Sequence, residues 1–167
     1  MSRLEKATNI AIIVACLFLV GTLVRNYYLS RNLDFNAPEI AKGTEIKLPL
    51  TTAGGQQPTL VLALSKSCHF CSESVPFYQK LAAFKNAAPQ KLRLVAVLPD
   101  KQTEAEAYLK GNGIGVDAVI SMPLPNLGVQ ATPTLLLLDA QNKLEEIWVG
   151  KMGEAQEAQV IERLKSL

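Results

Sequence analysis

Cys68 and Cys71, in the run Ser67-Cys68-His69-Phe70-Cys71, are the residues whose type and spacing suit chemistry. Two thiols three positions apart on the first turn of a helix return to one side, within reach of a disulfide. One sulfur of such a pair attacks a substrate disulfide, and the other resolves the mixed disulfide. The same spacing is half of a zinc site, but zinc takes four ligands, and this chain has one histidine and no second C-x-x-C. His69, adjacent to Cys68, is poorly placed to chelate with it. A c-type haem site would need histidine at position 72, which is Ser72. No metal and no organic cofactor is therefore expected.

The pair must be positioned by what flanks it. Residues 59–64 (TLVLAL) form a nearly continuous apolar run of strand length, which predicts a central strand buried on both faces. Residues 74–84 follow with helical spacing, from Val75 to Phe84. A cysteine between strand and helix faces free backbone N–H groups and the positive end of the helix dipole. Such surroundings lower a thiol from about 8.5 to about 3.5–7.5. Cys68 is thus the expected nucleophile and Cys71 the resolving thiol. Pro76 is expected to kink the helix.

The remaining periods alternate. A short strand is expected over 45–50, a turn over 51–55 and a buried strand over 92–98 (LRLVAVL). An Ala/Glu-rich helix over 103–110 and a short strand over 116–120 come next. Residues 134–138 (TLLLL) and 144–149 (LEEIWV) read as a hairpin, and 154–167 as an amphipathic helix. The pattern predicts an α/β domain over 43–167 with a mixed central sheet flanked by helices.

Ahead of it, residues 7–24 carry no charge and are mostly aliphatic. Eighteen helical residues span roughly 27 Å, just enough to cross a bilayer core. Arg25 ends the run, with Tyr27 and Tyr28 suited to the headgroup interface. No small-residue cleavage site follows the apolar stretch, and the run 13–16 (IVAC) only loosely suits lipidation at Cys16, because the apolar region continues beyond it. Residues 1–25 are accordingly read as an uncleaved transmembrane anchor and 26–42 as a linker. Arg3, Lys6, Arg25 and Arg31 against Glu5 give residues 1–31 a charge of +3, which leaves −1 of the total of +2 for the rest. A nearly neutral domain gives no electrostatic reason to expect nucleic acid. A short N-terminal tail favours a domain on the non-cytoplasmic side of the membrane, and a dithiol pair facing an oxidising compartment agrees with that.

Three stretches together resemble the thioredoxin fold, and within it the TlpA/ResA-like periplasmic thiol–disulfide oxidoreductases. They are residues 60–64 running into Cys68–Cys71, the loop 128–134 (GVQATPT), and residues 144–150 ending in Gly150. The resemblance spans roughly residues 43–167, and the long interval from Cys71 to Pro133 suits a helix–strand insertion of the TlpA/ResA kind. It implies that Pro133 is a cis-proline facing the cysteines and that Thr132 pairs backbone-to-backbone with a bound substrate. It also implies cysteine-bearing protein substrates, apocytochrome c or other exported thiol proteins among them, and a membrane electron donor or acceptor of the thiol–disulfide type.

Departures from the family pattern sharpen other expectations. Ser67 stands where relatives usually have Trp, and His69-Phe70 replaces a proline-containing dipeptide. His69 either stabilises the thiolate or points to solvent; Phe70 either offers an apolar face to a partner or packs locally. The buried acid of thioredoxins is absent from the strand, where Leu62 and Leu64 stand, so Glu73 and Asp100 become the candidates for proton transfer. Two alternatives stay open. One is a copper or haem chaperone using the dithiol as ligand; the other is a thiol peroxidase, for which Ser65 and Lys66 are weak substitutes for the usual Thr and Arg.

Overall fold

Five strands form one sheet in the computed structural model, which describes residues 12–23, 25, 40–49 and 57–167. The chain divides into two units, Met1–Asn36 and Ala37–Leu167. In the first, residues 12–23 form helix α1, with Leu17, Phe18, Leu19 and Cys16 exposed. Among the described residues no helix is long and apolar enough to cross a membrane. The expected anchor extends over positions 7–11 and 24, and these lie outside the described residues, as do Tyr27, Tyr28 and positions 26–39 of the linker.

In the second unit the strands are β1 (Thr59–Ala63), β2 (Arg93–Leu98), β3 (Ala118–Ser121), β4 (Thr134–Leu138) and β5 (Leu144–Val149), in the order β3-β2-β1-β4-β5. β1 is central, parallel to β2 and antiparallel to β4, and all five of its residues are buried. An apolar run without alternation suits a strand covered on both faces, which is the reading its sequence invites. β2 and β3 pair in parallel, and β4 and β5 form the hairpin. Helices α2 (His69–Glu73), α3 (Val75–Ala87), α4 (Gln102–Gly111) and α5 (Glu154–Lys165) complete the unit. α4 and β3 fill the long interval between the cysteines and Pro133.

The two sheet faces are covered differently. Leu60, Leu62, Leu94, Leu135 and Leu137 pack with Phe77, Tyr78 and Leu81 of α3, Leu109 of α4 and Leu164 of α5. The other face, with Val61, Val95, Val97 and Leu136, is closed by Ile46 and by Leu124, Leu127 and Val129 around the 3-10 turn Leu124–Leu127. Helices α3, α4 and α5 therefore all cover one face, whereas the described cover of the other is extended chain and a single turn. Gly128 makes that cover close-fitting: its φ is +76°, and a Cβ there would stand 3.0 Å from the side chain of Ile40.

Two local expectations change. The strand expected over 45–50 is an isolated bridge, Glu45 opposite Lys143, with Ile46 donating to Asn142 O at 2.8 Å. Pro49 has no N–H with which to continue a ladder; Leu50 and the turn over 51–55 lie outside the described residues. The helix after the cysteines is broken, not merely kinked. Ser74 caps α2, its N–H reaching Phe70 O and Cys71 O, and α3 restarts with Pro76 in its first turn. Proline suits a first turn because its missing N–H would have no intrahelical partner there.

Because β1 leads into the cysteine turn and fills the core from the sheet centre, Leu62→Ala should lower the unfolding free energy by about 2–5 kcal/mol. Urea denaturation of the variant against the wild type measures it.

Candidate active site

Antiparallel pairing of β1 with β4 sets Ala63 opposite Thr134. The end of one strand therefore meets the start of the other, and the turn after β1 stands beside the loop before β4. That brings Cys68 to Thr132, with Cys68 Sγ 3.3 Å from the Thr132 carbonyl oxygen. The Thr132–Pro133 bond is cis. Gly150, at a φ of +87° that favours glycine, donates its N–H to Pro133 O at 2.7 Å and ties the end of β5 to the same loop. Thr134 Oγ1 adds a bond to Ala131 O at 2.8 Å.

Cys68 caps α2, and its Sγ accepts the Cys71 N–H at 3.3 Å. Burial alone would resist ionisation of Cys68. Hydrogen bonds to its sulfur from the Thr132 and Cys71 side chains and from the Cys71 and Phe70 N–H groups outweigh that and hold its pKa below the ordinary value. With the proton on, Sγ donates to the Thr132 carbonyl; with it off, these donors take over. A five-residue helix has little macrodipole, so the local N–H groups matter more than the dipole invoked from the sequence.

Cys71 is the opposite case. It is fully buried, and its pKa is pushed up to about 12, first by burial and then by Cys68 beside it. The two sulfurs are free thiols here. A half-buried thiol that ionises readily and a buried one that does not are the division of labour an attacking and a resolving cysteine need.

The other residues singled out in the sequence separate. His69 is exposed, and its Nε2 lies 3.4 Å from Glu73 Oε1, one turn along the helix, so the imidazole is engaged away from the sulfur. Glu73 also accepts from Lys151 at 2.9 Å, and that bond holds its carboxyl below the usual range. Phe70 is 55% exposed beside the His69 ring and offers an apolar surface at the mouth of the site. Asp100 lies behind the turn, its side chain 12% exposed; it accepts the Lys66 N–H at 3.4 Å and lies 3.7 Å from Lys66 Nζ. Lys66 also pairs with Glu104 on α4, and Ser65 Oγ lies 3.0 Å from Ser67 Oγ. Among the described residues no group of three or more His, Cys, Asp or Glu side chains could hold a metal ion.

Sequence reasoning missed Tyr78 and Tyr108. Tyr78 is fully buried and Tyr108 partly so, both pack in the cluster that holds Cys71, and the hydroxyl oxygen of each is buried with no hydrogen-bond partner among the described residues. Tyr78 stands two helical turns after Cys71, a spacing visible in the sequence, but it was absorbed into the apolar face of the helix. Nothing in the sequence relates Tyr108 to the cysteines.

The opposed pKa directions predict a selective modification. Within the pair, alkylation by iodoacetamide of the reduced chain should occur at Cys68, with a pH midpoint below the about 8.5 of a free thiol. Cys71 should stay unmodified throughout the neutral range. Peptide mass spectrometry across a pH series reads both, and equal labelling of the two cysteines would contradict the assignment.

By sequence alone, no family model and no curated protein matches the chain. Solved structures do match it in shape. A thiol-disulfide isomerase from Corynebacterium glutamicum superposes with a TM-score of 0.56 at 14% identity, covering 80% of this chain and 99% of its own. StoA from Bacillus subtilis gives 0.52 at 21% identity over 71% of this chain and 93% of that one. A DsbF homologue from Corynebacterium diphtheriae gives 0.55 at 19% over 68% and 74%. The folded unit therefore has the thioredoxin-like α/β fold, the fold shared by these thiol–disulfide oxidoreductases.

Proposed function

We propose that this chain is a membrane-anchored thiol–disulfide oxidoreductase of the TlpA/ResA-like kind, exchanging disulfides with cysteine-bearing exported proteins. The observation that carries the reading is the unequal pair: Cys68 half-exposed and lowered in pKa, 3.3 Å from the Thr132 carbonyl at the cis-proline, with Cys71 buried and raised to about 12. In the first step the Cys68 thiolate attacks a substrate disulfide, forming Cys68–S–S–substrate and releasing the other substrate sulfur as a thiolate. In the second, Cys71 loses its proton and attacks Cys68 Sγ. The Cys68–Cys71 disulfide forms and the substrate leaves reduced. Run backwards, the same steps oxidise a dithiol. The Thr132 backbone pairs with the substrate strand beside the sulfur, and exposed Phe70 adds apolar contact.

In this reading residues 7–24 anchor the protein in a bacterial-type inner membrane with the domain on the periplasmic side. The exposed apolar side chains of α1, Leu17, Phe18 and Leu19 among them, support it. Apocytochrome c is one fitting substrate, and a membrane thiol–disulfide protein recycles the pair.

Substitution of the resolving cysteine tests the reaction. Full-length Cys71→Ala, expressed in cells and isolated after acid quenching, should carry partner proteins disulfide-bonded to Cys68. Cys68→Ser/Cys71→Ala should carry none. Failure to trap any adduct, together with absence of insulin-disulfide reduction by the wild type, sinks the proposal. Tight stoichiometric copper binding by such an inactive dithiol would mark it as a metal carrier instead.

A further inference from the structure

The turn over 65–67 joins β1 to the cap of α2, so the Cys68 sulfur is fixed only as well as that turn is. β1 lies between β4 and β2, and a loop from each neighbour stands beside the turn. On the β4 side the hold is the contact of Cys68 Sγ with the Thr132 carbonyl. On the β2 side parallel pairing sets Ala63 beside Val97, and the Leu64 N–H extends it by bonding Val97 O at 2.9 Å. The chain after β1 and the chain after β2 therefore leave the sheet together, which brings Lys66 to Asp100.

Within the turn, the Cys68 N–H bonds Ser65 O at 3.1 Å, and the hydroxyls of Ser65 and Ser67 lie 3.0 Å apart. Both contacts are internal, so they give the turn a shape but not a place. The place comes from Asp100. Its Oδ2 accepts the Lys66 N–H at 3.4 Å and its Oδ1 lies 3.7 Å from Lys66 Nζ, so one carboxylate grips the main chain and the side chain of the same residue. A charged acceptor suits this task, because its hydrogen bonds are stronger than those of a neutral one. Asp100 is itself held, since its carbonyl oxygen accepts the Ser121 hydroxyl at 2.6 Å at the end of β3. Its side chain is 12% exposed against 44% for Lys66, which makes Asp100 the covered anchor and Lys66 the strap. Lys66 Nζ goes on to Glu104 in the first turn of α4.

We infer that Asp100 is a positioning residue for Cys68: its carboxylate fixes Lys66, and with it the turn that holds Cys68 Sγ against the Thr132 carbonyl. The inference deepens the exchange reaction proposed above and rests on Cys68 being its nucleophile. Without the Asp100 acceptor the turn swings off the end of the sheet. Cys68 Sγ then loses its alignment with Thr132 and with the Cys71 N–H, now 3.3 Å away. Asp100 takes no proton in this role and acts on the sulfur only through Lys66.

Position and charge make opposite predictions. A carboxylate near a thiol disfavours the thiolate, so if Asp100 acted only as a charge, its removal would make Cys68 ionise more readily. If Asp100 positions the turn, its removal takes donors from the sulfur and makes Cys68 ionise less readily. Iodoacetamide labelling of the reduced full-length chain across a pH series decides between them. Each cysteine is read on its own peptide, so the exposed thiol of Cys16 is counted apart. Asp100→Ala should raise the Cys68 midpoint by about half to one pH unit and cut its labelling rate at neutral pH by about 3- to 10-fold. Asp100→Asn loses the charge but keeps an oxygen that accepts the Lys66 N–H, so its midpoint should stay at or below that of the wild type. The other ionisable groups facing Cys68 are Cys71, Tyr78 and Tyr108, and neither variant replaces them. Cys71 should remain unlabelled in both variants, which reports an intact core.

A midpoint unchanged or lowered in Asp100→Ala overturns the inference, as does an equal rise in Asp100→Asn. Labelling of Cys71 in Asp100→Ala overturns it as well, because Asp100 would then support the fold at large. No substrate disulfide enters this measurement. A chain that traps no partner and reduces no insulin sinks the exchange reaction, while the effect of Asp100 on Cys68 is still read.

Discussion

The site depends on the pairing of β1 with β4. Antiparallel strands run end to start, so the register that sets Ala63 opposite Thr134 also sets the turn after one strand against the loop before the other. Cys68 and Thr132 are 64 positions apart, yet this ladder leaves Sγ 3.3 Å from a carbonyl. The ladder is rigid because β1 is hydrogen-bonded on both edges and buried on both faces. An edge strand would be free on one side to shift register. Gly150 adds a third strand end to the same point through its bond to Pro133.

Burial then separates two chemically identical thiols. The break at Ser74 leaves α2 only five residues long, with Cys68 at its cap and Cys71 on its inner face. Its place at the cap and beside Thr132 gives Cys68 hydrogen bonds from the Thr132 and Cys71 side chains and from two N–H groups, and together these more than offset its partial burial. Inner position gives Cys71 the apolar core, which disfavours charge strongly enough to dominate every other influence on it. The dipeptide between them lies outside this division. His69 and Phe70 lie on the solvent side, where Glu73 and Lys151 organise a charged rim next to an apolar one. The cysteine turn is thus unsymmetrical across its own thickness: charged and accessible in front, apolar behind, with two hydroxyls that have no partner among the described residues.

Local pattern made much of this legible. The unbroken apolar run of β1, the i, i+3 cysteines, the hairpin and the closing amphipathic helix each have a signal confined to a few neighbouring residues, and each was found where expected. Non-local features were not legible. The strand expected over 45–50 has suitable residues, but among the described residues it makes a single bridge, Glu45 opposite Lys143. Concentration of α3, α4 and α5 on one sheet face follows from crossover geometry, which no periodicity encodes. Glu73 and Asp100 were indistinguishable as spare acids in the sequence; packing sends the first to Lys151 at the surface and the second behind the cysteine turn.

For the cysteine pair itself, the sequence determined the residue types, their spacing and the strand that carries them, because these follow from short-range sterics and hydrophobic period. It thereby limited the chemistry to thiols and disulfides or to a soft metal. Which sulfur ionises, which stays protonated, and which side chains face them were decided only in the tertiary structure. A pKa is the sum of desolvation and of donors contributed by residues remote in sequence. For Cys68 the decisive remote neighbour is Thr132, and for Cys71 it is the core that encloses it.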